Sequence, residues 1–114
     1  MFSAILAIAL ALAPISLRID GGSFYMADEV TLRAVLSIPP HPDNRVAALV
    51  WDSEDGGAGS SSISFQGDED RTTYRFAIRL SSGHYVIVGI LSRADRTIVR
   101  TEPQSIVIVS SVPQ

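Results

Sequence analysis

The sequence predicts an all-β protein, an antiparallel sandwich of about seven strands. Three observations predict it. From residue 17 onward, apolar and polar residues alternate at a period of two, the period of a strand with one buried face. The runs are short and end at clusters of Gly, Pro, Ser and Asp, at spacings near the roughly eight to twelve residues of a sandwich. No stretch in this region keeps a helical apolar period long enough to define a helix. The length of 114 residues suits one domain. The expected organisation is a leader or anchor over residues 1–17, a sandwich over 18–110 and a tail over 111–114.

The leader comes first. Residues 2–17 carry no charge, and residues 4–13 read AILAIALALA. This composition fits the apolar region of a secretory signal, and the alanine–leucine repetition argues against a strand. Small-x-small cleavage patterns end at Ala11 and at Ala13. The first leaves Leu12 at the new terminus; the second leaves Pro14, which peptidases disfavour. The basic residue that normally precedes the run is missing, and Arg18 follows it. The segment falls slightly short of the roughly 20 residues of a spanning helix. An uncleaved anchor is the alternative, with flanking residues or a thinned bilayer making up the length.

The strands follow in order. Residues 17–20 alternate and stop at Gly21 and Gly22. Residues 30–38 place Val30, Leu32, Ala34, Leu36 and Ile38 on one face and Thr31, Arg33 and Ser37 on the other. Pro39, Pro40 and Pro42 end that strand, because proline cannot donate to a ladder. Residues 45–51 are apolar on both faces, with Val46, Ala48 and Val50 opposite Ala47, Leu49 and Trp51. A Gly/Ser/acidic loop covers residues 52–62. Residues 62–66 turn Ile63 and Phe65 inward, and residues 67–70 form a turn. Residues 72–80 set Tyr74, Phe76, Ile78 and Leu80 against Thr73, Arg75 and Arg79. Residues 80–91, LSSGHYVIVGIL, form a turn feeding a strand apolar on both faces, expected at the centre between two covered surfaces. Residues 93–96 turn the chain. Residues 97–101 begin the last strand, Glu102 and Pro103 interrupt it as a bulge or edge crossing, and residues 105–109 complete it.

Composition excludes several functions. The net charge is −3, and the nine cations, all arginine, are spread singly among acids. A nucleic-acid surface needs clustered cations, so no nucleic-acid partner is expected. The lack of lysine reads as a compositional bias. With no cysteine, the chain has no disulfide, thiol nucleophile, CxxC centre, cysteine-ligated zinc or acylated lipoprotein cysteine.

The segment of residues 80–88 resembles the L-x-x-G-x-Y-x-V signature at the sixth strand of immunoglobulin-like and fibronectin-III-like sandwiches. The resemblance implies that Leu80 plugs the core, Gly83 permits the turn and Tyr85 forms a tyrosine corner. It matches Trp51 to the core tryptophan of the third strand; the disulfide of antibody domains is absent. Residues 17–109 as a whole also look like an uncharacterised type of exported bacterial β-sandwich. The features are the alternating strand of residues 30–38, the turn of residues 42–45, the strand that runs into the acidic-serine loop of residues 51–62, and residues 80–88. Neither likeness names a ligand.

Sandwich connectivity sends successive loops to alternate ends. One end gathers His41, Asp43, Asp68, Glu69, Asp70 and Asp95; the other gathers Asp28, Glu29, residues 52–55 and His84. The acids Asp43, Asp68, Glu69, Asp70 and Asp95 are candidate calcium ligands, since calcium takes several converging oxygens. The plainer reading is solvated loop acids, because no spaced D-x-D-x-D loop is present. His41 and His84 fall at opposite ends, which disfavours a two-histidine zinc site. No G-x-S-x-G, P-loop or G-x-G-x-x-G motif occurs, and the carboxylate pairs lie on loops without an apolar pocket. Residues 106–109 form an apolar C-terminal strand that could lie at an edge and template another strand.

The expected function is therefore a non-enzymatic periplasmic or secreted module that binds a protein or a surface polymer and needs no cofactor. Membrane contact is expected only through residues 1–17, if they are retained. One alternative is a membrane-tethered structural domain that assembles through its C-terminal edge strand. Another is a loop-site hydrolase, which requires a cleft joining His41 to the acidic loops.

Overall fold

Alternation decides the architecture. A strand with one apolar face must lay that face on another layer, and two such sheets make a sandwich. The computed structural model describes residues 15–54, 57–65 and 71–110. Among them are nine strands and no helix: β1 (Ser16–Ile19), β2 (Phe24–Met26), β3 (Glu29–Ser37), β4 (Asn44–Ser53), β5 (Gly59–Ser64), β6 (Thr73–Ser81), β7 (Gly83–Arg93), β8 (Ile98–Arg100) and β9 (Gln104–Val109). One sheet has the order β1-β3-β6. The other has the order β2-β9-β7-β4-β5, with β8 also paired to β7. The core lies between them. Leu32, Leu36, Tyr74, Phe76, Ile78 and Leu80 from the smaller sheet meet Ala47, Leu49, Ile87, Leu91, Ile106 and Ile108 from the larger one. Full burial of a Leu or Ile side chain contributes about 1.5–3 kcal/mol.

Nine strands stand where about seven were expected, for two reasons. β2 was not foreseen, because Phe24, Tyr25 and Met26 make a run too short to show a period. The last strand is split. β9 pairs Ile87 with Gln104 while β8 pairs Ile90 with Arg100, so three residues on one strand oppose two on β7. This is a bulge at the Glu102–Pro103 interruption. Thr101 bridges it: its N–H donates to Gly89 O at 2.9 Å, and Gly89 N–H donates to the Thr101 hydroxyl at 2.9 Å. The threonine side chain thus stands in for a missing backbone carbonyl.

Three further expectations are corrected. The pairing is not wholly antiparallel, since β2 runs parallel to β9. β9 is not an edge strand: β2 covers one side of it and β7 the other, so assembly through a C-terminal edge has no free edge to use there. β7 is central, as expected, but it is not covered on both faces. In a two-layer sandwich each sheet has one outer face, and Val86 on that face is 45% exposed.

The expected leader or anchor helix falls mainly on residues 1–14, outside the described residues, as does the tail over 111–114. Residues 15–17 belong to the sandwich instead, with Ile15 and Leu17 buried in its core. Both candidate cleavage points lie upstream of these two side chains.

Candidate functional site

The L-x-x-G-x-Y segment builds the corner between the sheets. Leu80 is buried at the end of β6. Gly83 opens β7 with φ 153°, a conformation open to glycine and strained for other residues. Tyr85 is buried, and its hydroxyl donates to Ser81 O at 3.0 Å, which is the geometry of a tyrosine corner. Trp51 turns inward and packs partly buried against the core. Its indole lies over Gly59, its partner on β5; a Cβ at Gly59 would sit 2.6 Å from Trp51 Cζ2.

The candidate calcium ligands divide. Asp68, Glu69 and Asp70 lie outside the described residues. Asp43 and Asp95 are brought to one end, where Ala94 N–H donates to Asp43 O at 2.7 Å. That end is tied together by polar contacts. Buried Asn44 donates to Pro39 O at 3.1 Å and accepts from Arg93 Nε at 3.2 Å. His41 Nδ1 accepts from Asp43 N–H at 3.1 Å. Asp95 Oδ1 accepts from Thr97 N–H at 2.9 Å. Hydrogen bonds from the Thr97 hydroxyl and then its backbone hold the Asp95 carboxyl below its ordinary value. No group of three His, Cys, Asp or Glu side chains placed to hold a metal occurs among the described residues.

The two histidines do fall at opposite ends. The hydrolase alternative requires a cleft joining His41 to the acidic loops of its end, of which Asp68, Glu69 and Asp70 lie outside the described residues; at the other end an acidic loop also meets a histidine. Asp52, Glu54, His84, Val86, Ser105 and Val107 line an open groove of about 370 Å³ across the start of β7.

This groove opens onto the outer face of the larger sheet, which sequence reading did not single out. Register places Val46, Ala48 and Val50 of β4 beside Ser92, Ile90 and Val88 of β7. Val86 continues the face toward Ser105 of β9, and Val107 lies between His84 and Phe24. Phe24, Met26, Val86, Ile98 and Val109 are each more than 40% exposed. On the far side, Ser60, Ser62 and Ser64 of β5 pair with Val50, Ala48 and Val46 and form a polar border. Asp52 and Glu54 make an acidic border at the groove. The apolar residues at even positions of 46–50 and 86–90 are the available signal, but apolar residues on both faces of a strand read equally as a strand covered on both sides.

No protein-family model and no curated protein sequence matches this chain. Among solved structures it is similar to the human F-spondin reeler domain, with a TM-score of 0.53 and 16% identity over 83% of this chain and 89% of that one. It is also similar to red sea bream transglutaminase, with a TM-score of 0.55 and 8% identity over 99% of this chain and 19% of that one; the chain spans about a fifth of that enzyme. Its likeness to the fibronectin(III)-like modules of Clostridium thermocellum CbhA has a TM-score of 0.43 at 10% identity, over 86% of this chain and 99% of those modules, too slight to carry an argument. The first two likenesses establish the fold and nothing more. The strand order agrees with an immunoglobulin-like sandwich: β4, β7 and β9 take the places of its C, F and G strands, with one further strand beside C.

Proposed function

We propose that this chain is a non-enzymatic binding module of the cell envelope or secreted space that holds a protein partner on the outer face of its larger sheet. The observation that carries this reading is the continuous apolar face of Val46, Ala48, Val50, Val86, Val88, Ile90 and Val107. Large exposed apolar patches rimmed by polar residues mark protein interaction sites. An apolar centre with a polar border is also the usual anatomy of an interface. The partner is a protein whose contact surface is apolar, with cations placed to meet Asp52 and Glu54. The charge-free segment of residues 2–17 supports export.

The test is a photoreactive residue in place of Val86, in cells that express the chain from its own gene. The expected result is one discrete protein adduct, recovered from the envelope or medium and abolished by Val50→Lys. Folded protein with no adduct, or with a smear that Val50→Lys leaves unchanged, rejects the interface. A discrete adduct confined to the cytosol rejects the compartment.

A further inference from the structure

The opposite side of the molecule has the reverse chemistry. On the smaller sheet, register places Arg18 of β1, Val35 of β3 and Arg75 of β6 on one rung. Arg33 faces Ala77 on the next, and Thr31 faces Arg79 on the one after. Ser16, Ser37 and Thr73 form a rung of hydroxyls beside Arg18 and Arg75. Four arginines therefore share one flat surface, about 10 Å across its three strands and about 14 Å along β6 from Arg75 to Arg79. All four are exposed, on a protein of net charge −3.

Two of these cations are engaged. Arg18 Nε meets Asp20 at 3.3 Å, and Arg79 is paired with Glu29. Arg33 and Arg75 have no carboxylate partner among the described residues. They flank a concavity of about 170 Å³ floored by Val35 and Ala77, which Asp20, paired with Arg18, lines at one side. Val35 is only 6% exposed although it faces outward, and register sets Arg18 and Arg75 on either side of it. Long stems that pack on apolar surface while their heads stay in water are a known habit of arginine.

We propose that this face binds an anionic polysaccharide, with its sulfate or carboxylate groups held by Arg33 and Arg75 and its hydroxyls by the serine–threonine rung. Guanidinium forks match carboxylate and sulfate oxygens two at a time. The hydroxyl rung beside them suits a sugar chain and gives no advantage to a bilayer. Among the described residues no aromatic side chain lies on this face, so nucleic-acid bases have no stacking platform there. This surface is separate from the protein-binding face and does not depend on it.

The test is titration of the full chain with dextran sulfate, polygalacturonate and neutral dextran. Binding of either anionic polymer but not of neutral dextran is expected, weakening about sevenfold between roughly 50 and 200 mM salt as the two unpaired cations, Arg33 and Arg75, are neutralised. Arg33→Gln with Arg75→Gln should weaken it about tenfold or more, whereas the charge-matched Arg96→Gln with Arg100→Gln should not. Salt dependence of the unaltered chain gives a readout that needs no variant to fold. No binding at low salt overturns the proposal, as does an equal loss in both double variants. Tighter binding to duplex DNA or to phosphatidylglycerol vesicles overturns the polysaccharide assignment.

Discussion

Gly89 and Thr101 show how little room single positions leave. A Cβ at Gly89 would sit 2.4 Å from Leu36 Cδ1 and 3.1 Å from Thr101 Cγ2. Gly89 thus allows the two sheets to approach at the middle of β7. Gly89→Ala should destabilise the fold by about 1–3 kcal/mol, the usual cost of overpacking. Urea denaturation checks this, and adding Leu36→Val should recover part of the loss; an unchanged midpoint would mean that the sheets are not in tight contact there. Thr101→Val removes the acceptor of the Gly89 N–H and should cost about 1–3 kcal/mol, while Thr101→Ser keeps that bond and should cost less. At the Asp43 end, the Asp95 carboxyl should titrate below its ordinary 3.8 because Thr97 bonds favour the charged form. The resulting stabilisation is present above the unfolded value and is lost as pH falls through the folded one. Asp95→Asn should therefore be less stable than the unaltered chain at neutral pH and converge with it in acid. Proton-detected titration of the Asp95 side chain, with paired melts, measures both; a midpoint above 3.8 would contradict the Thr97 bonds.

Strands were legible where side chains alternated over eight or nine residues. β3 and β6 keep Leu32, Ala34 and Leu36, and Tyr74, Phe76 and Ile78, on the core side as their spacing required. β4 and β7 misled because they are apolar on both faces. Composition cannot tell a second buried layer from an outer apolar face, and only the two-layer architecture decides. The arginine surface was hidden for a different reason. Arg18, Arg33, Arg75 and Arg79 are scattered along the chain but share one parity, and register across three strands brings them together. β2 was illegible because its pairing is long-range and parallel: Val107 N–H donates to Ser23 O and Ala27 N–H to Val109 O, both at 2.9 Å. Its role follows from its place. β2 covers an apolar edge, residues 107–109, that would otherwise template another chain. Tyr25→Pro should break this pairing, since proline cannot donate. The expected outcome is concentration-dependent light scattering at temperatures where the unaltered chain stays clear. A clear solution with β9 amides still protected from exchange would show that β9 needs no cover.

The molecule as a whole is two unlike surfaces back to back. Valine and isoleucine face outward from the larger sheet, arginine and threonine from the smaller, and the core between them is close-packed around Leu36, Leu49, Tyr74 and Ile87. Packed sheets lie about 10 Å apart, so side chains that point away from each other are separated by more than that. Mutations beyond roughly 7–10 Å with no shared partner add within about 0.5 kcal/mol. Charge effects between the faces are damped as well, because the Debye length is about 8 Å at physiological salt. The two faces should therefore vary independently in stability. Val86→Lys and Arg75→Gln each alter one face, and the double variant should shift the unfolding free energy by the sum of the two single shifts. A coupling well above 0.5 kcal/mol in urea melts would mean that the core transmits strain from one sheet to the other. The proposed partner and the proposed polymer would then not be separate occupants, because filling one surface would alter the other.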